Sequence, residues 1–367
     1  MKNYLEKSIA NRGNLSRLKK VMKRAEAGEK LTIGYLGGSI TMGSVATTSE
    51  KCYAYLSHLW WKENFPQAEI SFCNGGIGAT TSQFGVARIE EDLFFCKPDV
   101  VFIEFSVNDD DTDHFRETYE GLVRKALSAD WEPAVILLHN AFYHDGVSAA
   151  RIHYEIGGYY RLPSVSFRDS VMQRCLDGVL KVDEVSPDNL HPNDAGHALL
   201  AEAVRYFLDE VKKNVDVEEL EYELPEQPLT QNRYENSKRL RNDKLVLIGG
   251  AGYEKDLAEQ PHITDIFKKG FMLSGEGAYL EFEVEATCLA LQYRRTIQHP
   301  APAMRVLVDG EEVAVLDGEF DETWGDLIAL TTIFEKEEPA LHKVRLELFR
   351  TGKEDKLPFY LVSVITS

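Results

Sequence analysis

The sequence lacks both a membrane-length apolar run and any paired-cysteine motif. No apolar stretch of the 367-residue chain approaches the roughly 18 residues that a membrane-spanning helix needs. The five cysteines are odd in number and scattered, and no Cys-x-x-Cys occurs, which argues against a zinc ribbon or a redox pair. The first seven residues lack the apolar core of a signal peptide. These absences predict a cytoplasmic protein.

The sequence also has fewer positively than negatively charged residues. Lysine and arginine number 41 against 60 aspartates and glutamates, and the net charge is −19. Nucleic acids and anionic membranes bind clustered positive charge, so neither is an expected partner. A small neutral or cationic substrate fits this balance. The 44% of hydrophobic residues is enough for a sizeable core, and the length suggests two domains or one large one.

The first 213 residues alternate short apolar runs with segments of helical periodicity. Such a pattern predicts a parallel sheet covered by helices on both faces, the α/β class. The predicted strands are 31–36, 70–73, 99–105, 134–138 and 164–167. The predicted helices are 5–27, 51–63, 83–94, 115–129 and 193–213.

The last third of the chain has a different pattern. Residues 214–243 are acidic and punctuated by prolines, which indicates a connector. From 244 to 367 apolar and polar residues alternate, as in 279–285, and Asp309-Gly310 is a strong hairpin signal. This pattern predicts an antiparallel β-sandwich domain.

A serine follows the first predicted strand, in Gly37-Gly38-Ser39-Ile40-Thr41. Ligands of open α/β sheets bind beyond the carboxyl ends of the strands, so Ser39 is placed for chemistry. The segment is not a phosphate loop, because the lysine is missing, and it is not a Gly-x-Ser-x-Gly elbow, because Thr41 replaces the last glycine. Two interpretations stay open: a nucleophile, or a tight turn with a capping serine.

Three later segments supply complementary groups. The run 74–81 after the second strand contains Gly78 and Ala79, whose backbone could approach a ligand closely, or which could form a simple turn. Asn108 follows the third strand and could donate an amide hydrogen bond into the same crevice. Asp188 and His191 are three residues apart before the last helix, so the carboxylate could orient the imidazole. Together with Ser39 these groups form the set needed for acyl transfer through a covalent intermediate.

The same four segments resemble the SGNH (GDSL-type) hydrolase superfamily over roughly residues 30–213. The resemblance implies a flavodoxin-like three-layer fold and a catalytic triad of Ser39, His191 and Asp188. It also implies an oxyanion hole made by the Ser39 N–H, an N–H of the second segment and the Asn108 amide. Metals and organic cofactors are not needed for such a reaction.

The chain departs from the superfamily pattern at three positions. Gly38 stands where many members have aspartate, and Ser106 stands where the third segment usually has glycine. Gap-free matching places Ala79 where many members have the oxyanion glycine. Because that donor is a backbone N–H, both Gly78 and Ala79 stay candidates.

The combination with a C-terminal sandwich resembles the acetylmannan esterases of carbohydrate esterase family 17, whose sandwich is similar to a family 35 carbohydrate-binding module. Trp324 lies in the polar loop 319–326 of this region, where an indole could stack on a sugar ring or plug the end of the sandwich. The resemblance implies a serine esterase that removes O-acetyl groups from oligosaccharides of mannan type. The alternatives are a lipid, thioester or aryl esterase, and a non-catalytic carbohydrate-binding protein with a relic triad. The sequence does not predict an oligomeric state.

Overall fold

The chain forms two units, Met1–Glu235 and Asn236–Ser367. The structure is a computed structural model that describes residues 4–367, so the first three residues of the N-terminal segment lie outside it. Within residues 4–367 no helix is both long and apolar enough to cross a membrane.

Unit 1 is built on a six-stranded sheet with the order β1-β6-β5-β4-β2-β3. Its strands are β1 (Ile9–Asn11), β2 (Lys30–Gly37), β3 (Glu69–Gly76), β4 (Val100–Glu104), β5 (Ala134–His139) and β6 (Ser164–Ser166). β2 to β6 pair in parallel, and β1 adds an antiparallel edge. Among the parallel strands the chain starts at β2, adds β3 on one side and then β4 on the other. This is the flavodoxin-like order, which confirms the predicted fold class and places the topological switch between β2 and β4.

Helices cover this sheet. They are α1 (Ser16–Glu26), α2 (Ser39–Met42), α3 (Tyr53–Asn64), α4 (Ser82–Asp92), α5 (Asp113–Leu127), α6 (Ala150–Tyr159), α7 (Gln173–Leu176), α8 (Val182–Val185) and α9 (Asp194–Lys213). Short 3₁₀ turns lie at Glu6–Ser8, Ser49–Lys51 and Phe94–Cys96, and a π-helical turn at Arg168–Met172. Trp60 and Trp61 of α3 and Phe207 of α9 are buried in one core with Tyr35 of β2. Tyr35 also stacks on Phe102 of β4, with ring centroids 4.8 Å apart, so large aromatic side chains fill the core around the first strand.

The helix predicted over 5–27 is shorter than expected, and its first part is a strand. Gly13 has φ +56°, and a Cβ there would lie 2.3 Å from the backbone of Leu162, so the chain packs too closely for a continuous helix. The Asn14 side chain then accepts from the Ser16 N–H at 2.9 Å and α1 begins. The preceding residues are therefore free to pair with β6.

Residues 214–235, part of the predicted connector, contact the helices of unit 1. The Lys19 ammonium donates to the Val217 carbonyl at 2.7 Å. Glu120 of α5 accepts from the Leu229 N–H at 2.5 Å, and Arg233 pairs with Glu117. The division into a catalytic domain (1–213), a connector (214–243) and a sandwich domain (244–367) stays a prediction.

Unit 2 is a nine-stranded antiparallel arrangement, which confirms the second part of the predicted fold class. Its strands are β7 (Lys238–Leu240), β8 (Leu247–Ala251), β9 (Tyr253–Lys255), β10 (Phe271–Leu273), β11 (Tyr279–Arg295), β12 (Ala303–Val308), β13 (Glu311–Asp317), β14 (Leu327–Arg350) and β15 (Phe359–Thr366). The main order is β13-β12-β14-β11-β15-β10-β9, with β7 on β15 and β8 on β11. Alternate residues such as Phe282, Val306 and Leu346 point into one buried core, as the period-two pattern requires.

Candidate active site

Ser39 lies at the carboxyl end of β2, at the first residue of α2. The side chain is almost buried, with 7% of the residue exposed. Its Oγ lies 2.8 Å from Nε2 of His191, although 152 positions separate the two residues in the sequence. The structure therefore brings the predicted nucleophile and the predicted base into direct hydrogen-bond contact.

Asp188 holds the opposite side of the His191 ring. Its Oδ2 lies 2.6 Å from Nδ1, and its Oδ1 accepts the backbone N–H groups of His191 and Leu190 at 2.7 Å and 3.0 Å. Burial alone raises the pKa of this carboxyl, but the hydrogen bonds outweigh it and leave the pKa below its ordinary value. An ionised carboxylate only accepts, so Nδ1 carries the ring proton and Nε2 is free to accept from Ser39.

The loop that carries this pair is anchored by Asn189, which sequence reasoning did not single out. Asn189 has φ +69°, a left-handed conformation that asparagine tolerates well. Its backbone carbonyl accepts from the Tyr143 N–H at 3.0 Å, and its side chain accepts from the His144 N–H at 2.6 Å. The loop after β5 thus fixes the position of Asp188 and His191.

The predicted hydrogen-bond donors lie around Ser39. Gly78 packs beside it, because a Cβ built at Gly78 would lie 3.8 Å from the Ser39 Cβ. Ala79 follows with φ +55° and is exposed. Asn108 lies against Gly38, the neighbour of Ser39. In the part of the chain that the structure describes, the N–H groups of Ser39, Gly78 and Ala79 have no protein acceptor, so all three can serve a ligand.

Helix α4 ties these segments together, a role that the sequence did not reveal. The fully buried Arg88 donates to the Gly37 carbonyl at 3.0 Å and to the Gly75 carbonyl at 2.7 Å. Asp109, next to Asn108, accepts the Ser82 N–H at 2.8 Å at the start of the same helix. Thr112, and not Asp109, caps the following helix α5, and Asp109 is buried. Burial raises the pKa of Asp109 to about 7.

Trp324 lies in unit 2, in the loop between β13 and β14. Its residue is 61% exposed. The indole meets the Phe320 ring edge to face, with centroids 5.1 Å apart and planes at 82°. One side of the indole is thus supported by unit 2 while most of its surface stays accessible.

No group of three or more His, Cys, Asp or Glu side chains within residues 4–367 is arranged to hold a metal ion. The chemistry available at Ser39 is that of a hydroxyl bonded to an imidazole, which is in turn oriented by a carboxylate. The backbone N–H groups of Ser39 and of the neighbouring Gly78 are available beside the hydroxyl. Such an arrangement is suited to acyl transfer.

Comparison with known proteins extends over the whole chain. A solved two-domain esterase active on acetylated mannans, co-crystallised with mannopentaose, is 49% identical, covers 99% of this chain and 97% of its own, and superposes with a TM-score of 0.94. A second structure of such an esterase is 48% identical, with 99% and 98% coverage and a TM-score of 0.94. An acetylxylan esterase from Geobacillus stearothermophilus is 29% identical over 216 residues, 50% of this chain and 94% of that protein. No protein-family model matches the chain.

The flavodoxin-like sheet, with its serine after the first parallel strand, is the arrangement that the resemblance to SGNH-type esterases predicts. With near-complete coverage at 49% identity, the chain belongs to the family of the two-domain esterases.

Proposed function

We propose that the protein is a serine esterase that removes O-acetyl groups from acetylated oligosaccharides, in particular those of mannan type. The observation that carries the proposal is the continuous contact from Asp188 through His191 to the Ser39 hydroxyl. The substrate class is supported by the full-length similarity to an esterase active on acetylated mannans.

In the first half-reaction the Ser39 Oγ attacks the acetyl carbonyl carbon, and its proton passes to Nε2 of His191. The tetrahedral oxyanion accepts hydrogen bonds from the Ser39 N–H, from Gly78 or Ala79, and from the Asn108 amide. The bond between the acetyl carbon and the sugar oxygen then breaks, and the sugar oxygen takes the proton from Nε2. Asp188 stabilises the imidazolium that exists between these two transfers.

In the second half-reaction water attacks the acetyl group on Ser39. His191 accepts one proton of the water and returns it to the Ser39 oxygen, and acetic acid leaves and ionises to acetate in solution. Neither half-reaction involves oxidation or reduction, and the only reactants are the ester and water. The residues named above are therefore sufficient for the chemistry.

Trp324 of the carbohydrate-binding-module-like unit 2 supplies a sugar contact in this proposal. A sugar presents an apolar ring face that an indole can cover, and the Trp324 indole is both supported and accessible. A cytoplasmic location is also part of the proposal. It is supported by the free thiol state of all five cysteines, since such thiols persist in reducing compartments.

The proposal is tested by mass spectrometry of acetylated manno- and xylo-oligosaccharides before and after treatment. We expect loss of acetyl groups from the manno-oligosaccharides with the wild-type protein. Ser39→Ala should lower kcat by about 10⁴–10⁶. Thermal unfolding of both proteins controls for folding.

Deacetylation that persists at a tenth of the wild-type rate in Ser39→Ala would rule out this mechanism. Nitrophenyl esters of increasing acyl length address the alternative of a lipid or aryl esterase, which would prefer long or aromatic acyl groups. A protein inactive on every acetyl ester would instead be a binding protein.

A further inference from the structure

Gly38 lies between β2 and Ser39, and its backbone conformation does not demand glycine. Its φ is −86° and its ψ is −150°, an extended conformation with the negative φ that other residues adopt. Backbone strain is therefore not the reason for a glycine at this position.

Space is what the glycine provides. A Cβ built on Gly38 would lie 2.3 Å from Oδ1 of Asn108, 3.1 Å from its Cγ and 3.6 Å from its Nδ2. Non-bonded carbon and oxygen atoms normally stay more than about 3 Å apart. The carboxamide oxygen of Asn108 thus rests directly against the Gly38 backbone, and the amide nitrogen is the more distant of its two polar atoms.

Hydrogen bonds do not hold this carboxamide oxygen. Oδ1 of Asn108 is buried and has no hydrogen-bond donor among residues 4–367. The side chain of Asn74 is different, because its Nδ2 donates to the Thr41 carbonyl at 2.8 Å and its Oδ1 accepts the Gly76 N–H at 2.9 Å. Packing against Gly38 therefore takes the place of hydrogen bonding in fixing the Asn108 amide.

We propose that Gly38, which stands where many superfamily members have aspartate, is a positioning residue for the reaction in this chain: here its missing side chain leaves the space in which the Asn108 carboxamide rests, and so sets the direction of the Asn108 N–H toward the developing oxyanion. This inference rests on the proposed function, in which Asn108 is an oxyanion donor. A methyl group at position 38 would displace the carboxamide by about 1 Å, and a misplacement of that size can cost about 10²-fold in rate.

A double-mutant cycle tests the inference, with nitrophenyl acetate as substrate because it needs no sugar contact. Gly38→Ala should lower kcat by about 10²-fold with little change in KM, since the oxyanion forms only in the transition state. In the Asn108→Ala background there is no carboxamide to displace, so the same substitution should change kcat by less than about threefold. Gly158→Ala is the matched control, because a Cβ built at Gly158 of α6 would meet no heavy atom within 4 Å, and its kcat should equal the wild-type value.

Thermal unfolding extends the test to a variant that folds poorly. Gly38→Ala should lower the melting temperature more in the wild-type background than in the Asn108→Ala background. If the single variant does not fold at all, the double variant should still fold, because the clash is gone.

Two sets of results would overturn the inference. An equal kcat loss from Gly38→Ala in both backgrounds, or wild-type kcat in the single variant, would show that Gly38 does not act through Asn108, while the oxyanion role of Asn108 would stand. Wild-type kcat in Asn108→Ala would remove that role as well. Failure of both the single and the double variant to fold would also overturn it.

Discussion

Units 1 and 2 place their charged side chains differently. Unit 1 buries Arg88, Glu104 and Asp109 around the strand ends that carry the candidate site. Unit 2 also buries Arg239, but ion pairs such as Arg350–Asp317 lie on its surface, with about half of each side chain exposed. A buried charge must be matched by fixed partners, so it orders the groups around it, whereas an exposed pair contributes little. The comparison indicates that unit 1 uses buried ionisable groups to hold reactive groups in place, whereas the exposed ion pair Arg350–Asp317 of unit 2 contributes little to stability.

After Ser39→Ala, the largest effect is expected from Asp188→Asn in unit 1. The asparagine Oδ1 can still accept the two backbone N–H groups, but its amide would donate to Nδ1 of His191 and move the ring proton to Nε2. The imidazole could then no longer accept the Ser39 proton, and kcat should fall by about 10⁴. Steady-state kinetics on nitrophenyl acetate measures this loss. Wild-type kcat in the variant would show that Asp188 is not the partner of His191.

A large effect on stability is expected from Arg88→Met. The substitution leaves the Gly37 and Gly75 carbonyls and the Asp92 carboxylate, 3.1 Å from the guanidinium, without their donor. Breaking a buried pair in this way costs about 3–5 kcal/mol of unfolding free energy.

The matched control for Arg88→Met is Arg350→Met in unit 2, where loss of the half-exposed pair should cost about 1 kcal/mol or less. Urea unfolding of both variants measures the difference. Equal losses would contradict the contrast between buried and exposed charge.

A smaller and substrate-dependent effect is expected from Trp324→Ala. If the indole stacks on a sugar, deacetylation of oligosaccharides should fall by about tenfold or more, or roughly 1.4 kcal/mol, while hydrolysis of nitrophenyl acetate should not change. Phe349→Ala is the control, because Phe349 is another exposed aromatic residue of unit 2. Equal losses on both substrates would point to misfolding. No loss on either substrate would show that Trp324 has only a structural role in unit 2.

The smallest effect concerns pH. Burial lowers the pKa of His58 and His197 to about 4 and that of His153 to about 3, and it also lowers the pKa of His139. In the unfolded chain these imidazoles take up protons below about pH 6.5, so the unfolded state binds more protons and acid destabilises unit 1.

Two buried carboxyls oppose this trend. Burial raises the pKa of Glu104 and Asp109 to about 7, so between about pH 4 and pH 7 both are protonated in the folded unit and lose their protons on unfolding. The contribution of these two carboxyls to the unfolding free energy therefore falls as pH rises from about 4 to about 7. Four imidazoles outweigh two carboxyls, and the unfolding free energy of unit 1 should decrease on acidification from pH 6.5 toward 4.

Unit 2 differs, because hydrogen bonds from Lys343 and His342 hold the pKa of Glu281 and Asp309 below their ordinary values. The stability that these carboxylates provide is lost only at lower pH, as they become protonated.

The pH dependence of unit 1 is tested with His58→Gln. This substitution should reduce, by about 1 kcal/mol, the decrease in the unfolding free energy of unit 1 between pH 6.5 and 5.5. Thermal melts at both pH values measure it, with the exposed His144→Gln as control; an unchanged pH dependence in His58→Gln would refute the assignment.

The sequence predicted the parallel strands of unit 1 because each is a continuous apolar run, a local property. It also placed Ser39 and Asn108 after the first and third predicted strands, and the structure makes these two strands neighbours. It did not predict β1, a three-residue strand that pairs with β6 more than 150 positions away. Nor did it reveal Arg88, because an arginine in a helix has the same local pattern whether it is exposed or buried beneath a site.

The hydrogen bonds of residues 214–235 have a consequence for dividing the chain. Glu117 and Glu120 of α5 are buried, and their carboxylates are satisfied by Arg233, Leu229 and Thr230. A fragment ending at residue 213 would leave both carboxylates without these donors and expose the surface beneath them. To obtain unit 1 intact by limited proteolysis or gene truncation, the cut must therefore lie after Glu235.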